Sequence, residues 1–169
     1  MPRNIEIKAR IASVEALLPV ARALADGEPE AIEQDDTFFT VAHGRLKLRE
    51  FADGSAVLVH YHRADGTEAR ASDYVLVPVP HPMALREALT RANGQLGRVR
   101  KRRLLLMKGA TRIHLDRVEG LGDFMELEVV LQPGQGDAEG SATAEALMLE
   151  LGLAGAPRIA GAYLDLLRA

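Results

Sequence analysis

The chain has no cysteine, which excludes disulfides, thiolate nucleophiles and cysteine-based zinc sites. Aromatic residues make up only 4% of it, too few for the stacking platforms on which single-stranded nucleic acids are bound. No apolar run approaches the roughly 20 residues of a membrane-spanning helix. Basic charge is not in excess either: 21 lysines and arginines face 24 aspartates and glutamates, for a net charge of -3. Proteins that coat nucleic acid nonspecifically carry a basic surplus, so any polyanion site in this chain must be local. The lack of cysteine fits a soluble cytoplasmic protein, and Met1-Pro2-Arg3-Asn4 leads straight into a strand pattern instead of a targeting segment.

What the chain does have is alternation. The expectation from 169 residues with 47% hydrophobic content is one domain spanning residues 1–169. Within it, Asn4-Ile5-Glu6-Ile7-Lys8, Arg45-Leu46-Lys47-Leu48-Arg49, Val99-Arg100-Lys101-Arg102-Arg103, Arg112-Ile113-His114-Leu115-Asp116 and Glu126-Leu127-Glu128-Val129 each place charged residues two apart. Residues two apart on a strand share a face, so each segment offers one ionic and one mostly apolar side. A half-solvated antiparallel sheet gives the same alternation. The kinds of charge argue for more: Arg45, Lys47 and Arg49 gather three cations on one face, and Glu126 and Glu128 two anions on another. Like charges side by side cost energy unless a counter-ion is supplied, here by an external polyanion and an external cation.

The remaining pattern is mostly strand. A first strand is expected from Arg3 to Ile11, followed by a helix capped by Ser13 in which Pro19 implies a kink or a start at Leu18. Strands at Glu33 to Val41, Arg45 to Phe51, Ala56 to Arg63 and Ala71 to Val79 are separated by turn signals at His43-Gly44, Asp53-Gly54 and Asp65-Gly66. Pro82 opens a second helix closed by Asn93-Gly94. Strands at Gln95 to Met107, Thr111 to Val118 and Phe124 to Leu131 follow, then a helix carrying Ala144, Leu147, Met148 and Leu151 and a short terminal helix from Tyr163 to Leu167. Eight strands imply an α+β protein built on an eight-stranded antiparallel β-barrel, because closure leaves no exposed edge. With the ionic faces inward the lumen is polar and the helices lie on the periphery.

That inner face would hold seven positive charges, from Lys8, Arg45, Lys47, Arg49, Arg63, Lys101 and Arg103, against four negative ones from Glu6, Asp116, Glu126 and Glu128. Arginine and lysine in such number suit a bundle of phosphates, and the carboxylates suit a divalent cation that bridges them. All-oxygen ligands favour Mg2+ or Mn2+ over zinc.

The same residues carry a resemblance. Asn4-Ile5-Glu6-Ile7-Lys8 resembles the N-terminal Glu-x-Glu-x-Lys signature of the CYTH superfamily, the triphosphate tunnel metalloenzymes, which includes class IV adenylyl cyclases and thiamine triphosphatases. Gly44 to Glu50 is similar to the family's first basic strand, and Val99-x-Lys101-x-Arg103 to its second. Arg63, just ahead of Ala64-Asp65, sits where a phosphate-binding cation is expected. Asp116-Arg117-Val118-Glu119-Gly120-Leu121-Gly122-Asp123-Phe124-Met125-Glu126-Leu127-Glu128 is the most specific match and, with Tyr163 to Leu167, resembles the class IV cyclase branch.

The resemblance implies a tunnel that takes a small-molecule triphosphate lengthwise: ATP, inorganic triphosphate or thiamine triphosphate. It implies Glu6, Glu126 and Glu128 as metal ligands with Asp116 ligating or positioning, the seven cations as phosphate contacts, and Lys8, Arg63 and Asp116 as catalytic candidates. Asn4 replaces the signature's first acid, so an amide oxygen stands where a carboxylate is expected. The expected reaction is cyclisation of ATP to cyclic AMP and pyrophosphate. Hydrolysis of a triphosphate is the alternative, and a non-enzymatic triphosphate sensor the third reading. Neither nucleic acid nor membrane is an expected partner, while a homodimer is admitted.

Weaker signals point elsewhere. His60 and His62 share a strand face without a third metal ligand at sensible spacing. His114, beside Asp116, suits a hydrogen-bonding role. Gly134-Gln135-Gly136 lies between a strand and a helix as a dinucleotide fingerprint would, but the third glycine is displaced to Gly140. Strand alternation splits the basic run Arg98 to Arg103 over two faces, leaving Arg98, Arg100 and Arg102 on the surface.

Overall fold

The computed structural model describes residues 2–64 and 66–169. Eight strands appear in chain order as β1 (Arg3–Arg10), β2 (Glu30–Phe39), β3 (Arg45–Phe51), β4 (Ala56–Arg63), β5 (Arg70–Pro78), β6 (Gln95–Lys108), β7 (Thr111–Val118) and β8 (Gly122–Val130). All neighbouring strands are antiparallel, and the sheet closes into a barrel of order β1-β5-β4-β3-β2-β6-β7-β8. Four helices are packed around it: α1 (Val14–Leu24), α2 (Pro82–Asn93), α3 (Asp137–Glu150) and α4 (Tyr163–Arg168). No helix among the described residues is long and apolar enough to cross a membrane.

The strands form where alternation announces them, with shifted ends. The second strand starts at Glu30, ahead of the expected Glu33, and the eighth at Gly122 instead of Phe124. Helix α1 begins at Val14 after the expected Ser13 cap and runs through Pro19, so the alternative start at Leu18 is corrected. Two hydrogen bonds fix the earlier start: the Ala16 N–H donates to the Ser13 hydroxyl at 3.1 Å and the Val14 N–H to Asp123 at 2.8 Å. The turn expected at Asp65-Gly66 falls on Asp65, outside the described residues.

Alternation also decides where the core sits. The outward residues Ile5, Ile7, Leu106, Ile113, Leu115, Met125 and Leu127 are buried beneath α1 and α3. Apolar burial therefore lies between sheet and helices, which frees the interior of the barrel for polar residues. Helix α3 packs so closely that a Cβ on Gly140 would stand 2.6 Å from both Ile5 and Leu131. A second cluster of Phe38, Val99, Val118, Phe124, Tyr163 and Leu164 joins α4 to the barrel. At the start of β3, Gly44 takes a φ of 66°, and a Cβ there would lie 2.6 Å from the Tyr61 carbonyl oxygen. Only glycine makes that turn without moving β4.

Candidate functional site

A cavity of about 380 Å³ occupies the lumen, lined by seven lysine and arginine side chains and four carboxylates. Its cations are Lys8, Lys47, Arg49, Arg63, Lys101, Arg103 and Arg112, and its acids Glu6, Asp36, Glu126 and Glu128. Phe51, Val57, Leu76 and Leu105 also line it, so the cavity has apolar as well as ionic surface.

On the wall formed by β2, β3 and β6, three cations share one acid. Arg49 binds both oxygens of Asp36 at 2.7 Å, while Lys47 and Lys101 reach the same carboxylate at 3.1 and 3.3 Å. Burial would raise the Asp36 pKa, but Arg49, Lys101 and Lys47 hold it well below the usual carboxylate range. The lysines shift the other way. Burial, helped by Arg49, brings Lys47 down to about 8 against the pull of Asp36. Burial, with Arg49, Arg103 and Lys47, brings Lys101 down to about 7. Both shifts are led by burial, with neighbouring cations adding to it.

On the wall formed by β1, β8 and β7 the acids gather instead. Register pairs Glu6 with Glu128, Lys8 with Glu126, and His114 with Glu126. Arg63 reaches Glu6 at 2.6 Å, Arg112 reaches Glu128 at 2.9 Å and Arg103 reaches Glu126 at 3.5 Å. Burial and the nearby Glu126 push the Glu6 pKa up despite Arg63. Burial acts in the same sense on Glu126, where Lys8 and Arg103 outweigh it and hold the carboxyl well below its ordinary range. Burial draws the Lys8 pKa down, and its ammonium donates to the Gly161 carbonyl at 3.3 Å while lying 4.2 Å from the Tyr163 ring centroid. Donor atoms of His114, Glu126 and Glu128 all lie within 4.8 Å of one another, so these three side chains could hold a metal ion.

Several sequence candidates occupy other surroundings. Asp116 is 0% exposed and absent from the cavity lining; Arg103 donates to both its oxygens at 2.7 Å, and the Tyr163 hydroxyl donates to one of them at 2.7 Å. Burial would raise its pKa, but Arg103 brings it to about 2. With both oxygens engaged, Asp116 is built to fix Arg103. Arg45 is separated from Lys47 and Arg49: it pairs with Asp165 of α4 at 2.7 Å and lines a small hollow beside Tyr61, His62 and Arg63. Asn4 is buried at 3% exposure beside Ser72 and Val130, outside the cavity lining, and its Oδ1 has no hydrogen-bond partner among the described residues. The expectation that like charges await only external counter-ions is also corrected, since Asp36 and Arg112 supply internal ones.

Asp36, Arg112 and Tyr163 are site residues that the sequence-based inventory of the inner face omits. Arg112 stands in an alternating segment, two residues before His114, and that spacing could have found it. Asp36 follows Asp35 in a strand whose acids do not alternate, so nothing local separates the inward one from its neighbour. Arg98, Arg100 and Arg102 lie on the surface, paired with Asp35 and Glu33, and His60 and His62 are exposed.

A model of the CYTH domain matches residues 2–163. Among solved structures, the PH1012 protein of Pyrococcus horikoshii superposes with a TM-score of 0.85 at 24% identity, covering 96% of this chain and 98% of its own. An adenylate cyclase candidate from Vibrio parahaemolyticus gives 0.80 at 21% identity, with 98% of each chain covered. An adenylyl cyclase candidate from Hippeastrum, described as having a dominant triphosphatase activity, gives 0.70 at 17%, covering 99% of this chain and 95% of its own. No curated protein matches the chain in sequence.

Proposed function

The chain belongs to the CYTH domain family, and from that premise we propose that it is a divalent-metal-dependent enzyme acting on a triphosphate held in the barrel lumen. The observation that carries this reading is the cavity itself, in which seven cations outnumber four carboxylates in a chain whose total charge is negative. A linear triphosphate supplies the missing anions to both walls at once. Lys47, Arg49 and Lys101 would bind phosphate oxygens on one side, and Lys8, Arg63, Arg103 and Arg112 on the other. Asp36 keeps three of these cations in place before substrate arrives, and Asp116 does the same for Arg103. Preorganised cations of this kind stabilise charge that develops during phosphoryl transfer without reorganising.

Glu6, Glu126 and Glu128 are the residues that would hold Mg2+ or Mn2+. They stand on the adjacent strands β1 and β8, with Glu6 in register with Glu128, which fits that demand. A bound divalent ion neutralises phosphate charge and aligns the leaving group.

Of the two reactions open to this machinery, cyclisation is our first reading. The ribose 3′-oxygen bonds to the α-phosphorus of ATP, the bond from that phosphorus to the bridging oxygen breaks, the hydroxyl proton is released and pyrophosphate leaves. It is supported by the Asp116 to Glu128 match and by apolar lining that a nucleoside can contact, from Phe51, Val57, Leu76 and Leu105. Hydrolysis of the triphosphate is the second, favoured by the triphosphatase activity ascribed to the similarly folded Hippeastrum protein. Phosphorus NMR of the products from ATP decides between them. Pyrophosphate with cyclic AMP supports cyclisation, orthophosphate with ADP supports hydrolysis, and failure to bind either ATP or inorganic triphosphate overturns the lumen reading.

A further inference from the structure

The acidic wall contains one donor that is not oxygen. His114 projects from β7 into the cavity, 4% exposed, with its register partner Glu126 on β8. Its Nδ1 is buried and makes no hydrogen bond among the described residues. A buried imidazole nitrogen without a partner is costly, and the great majority of such groups are satisfied by protein, water or an ion. Ligand atoms of His114, Glu126 and Glu128 lie within 4.8 Å of one another, near the separation of about 4.2 Å between opposed donors bound at about 2.1 Å to one ion.

Arginines leave room for this role. Arg112 bonds Glu128 through a single oxygen, and Arg103 approaches one oxygen of Glu126 at 3.5 Å. Each carboxylate therefore keeps a second oxygen. Among the described residues no hydrogen bond engages the imidazole, in contrast to Asp116 two residues along the same face, whose oxygens are both engaged.

We propose that His114 is a direct nitrogen ligand of the divalent cation, completing a mixed nitrogen and oxygen site with Glu126 and Glu128. Such a site selects Mn2+ over Mg2+. This rests on the proposed metal dependence of the lumen and deepens it. An imidazole donor strengthens binding of first-row transition ions, while Mg2+ prefers oxygen ligands and retains its water. The all-oxygen set expected from the carboxylates alone would not discriminate in this way.

Pulsed electron paramagnetic resonance on the Mn2+-loaded wild-type protein tests the ligand directly, and the expected result is hyperfine coupling from a coordinated nitrogen. Calorimetry should show Mn2+ bound more tightly than Mg2+. In His114→Gln, Mn2+ affinity should fall by on the order of tenfold or more, the loss seen even when a metal ligand's supporting residue is removed, while Mg2+ affinity changes less. Absence of nitrogen coupling in the wild type overturns the proposal whether or not the variant folds, as does an equal loss for both ions. Calorimetry with inorganic triphosphate alone separates the two levels. Triphosphate binding without nitrogen coordination removes His114 from the site and leaves the lumen reading standing, whereas no triphosphate binding removes the lumen reading itself.

Discussion

On one wall of the lumen a single carboxylate, Asp36, is shared by Lys47, Arg49 and Lys101; across the barrel three carboxylates, Glu6, Glu126 and Glu128, stand together beside His114, with arginines reaching them singly. The first wall sets one anion among three cations; the second groups three carboxylates among Lys8, Arg63, Arg103 and Arg112, where burial and Glu126 raise the Glu6 pKa while Lys8 and Arg103 outweigh burial at Glu126. The first wall is short of anions, and the second brings Glu126 and Glu128 close enough together, beside His114, to share a cation. In the proposed reading a triphosphate would engage the cations of both walls, and a divalent cation would join it to the carboxylates of the second. The contrast gives a physical reason for coupling metal to substrate that neither wall gives alone.

Removing Asp36 should break the comparison most severely. In Asp36→Asn three cations remain buried with no anion between them, and breaking a buried ionic group in this way costs about 3–5 kcal/mol. Chemical denaturation should show that loss. Inorganic triphosphate should restore more stability to the variant than it adds to the wild type, because the ligand replaces the missing charge. A variant as stable as wild type without ligand would mean that Asp36 is not the counter-ion of this wall.

The acidic wall is probed by Glu128→Gln and Glu6→Gln. Turnover should fall by on the order of a hundredfold or more, the scale of losing one element of transition-state charge stabilisation. Thermal unfolding should show a smaller loss than Asp36→Asn, since each glutamate gives up the pairing of one arginine and not three cations, and binding of inorganic triphosphate in the absence of metal should persist, since the other wall is intact. Full activity at limiting metal in either variant would remove that glutamate from the metal site.

The lysines sharpen the comparison through pH. Lys101, held to about 7 by burial and by Arg49, Arg103 and Lys47 against Asp36, returns to about 10.4 on unfolding. Between those values the folded state binds fewer protons than the unfolded state, so stability should rise with pH across that window and the destabilisation is full below about 7. Lys47, at about 8, adds to the same slope. Triphosphate affinity should run the other way. Bound phosphate favours the ammonium form, so binding takes up protons and weakens by up to about tenfold per unit for each lysine, above about pH 7 for Lys101 and about pH 8 for Lys47. Calorimetry in buffers of different ionisation enthalpy measures the uptake, and Lys101→Met should reduce it.

These walls were unequally legible in the sequence. The acidic wall is written as short alternating runs, Glu6 with Lys8 and Glu126 with Glu128, whose period matches the strand and whose partners lie on neighbouring strands. The strands follow from the same period, and closure of the barrel from their number and from the cost of exposed edges. Asp36 escaped because β2 carries Glu30, Glu33, Asp35 and Asp36 on both faces, and only tertiary packing selects one. Arg45 was read with Lys47 and Arg49 by spacing, but its partner Asp165 lies 120 residues away on α4, a pairing no local pattern encodes. His114 was visible on the polar face of β7. Its unpartnered nitrogen was not, because hydrogen-bond satisfaction depends on the closed barrel.

The smallest effect is expected where the walls meet α4. Tyr163 donates its hydroxyl to Asp116 at 2.7 Å while its ring lies against Lys8 and 5.0 Å from Phe124. Tyr163→Phe keeps the ring and its packing and removes one hydrogen bond, worth about 1.5 kcal/mol. Asp116 keeps both bonds to Arg103, so the guanidinium stays in place and turnover should change no more than a few-fold. Asp116→Asn is the contrast. It removes the charge that fixes Arg103 and should lower triphosphate affinity more than Tyr163→Phe does, with the difference read by calorimetry. If Tyr163→Phe instead abolishes turnover while stability falls only slightly, its hydroxyl contacts the substrate, and α4 then belongs to the reacting site as well as to the wall that holds Arg103.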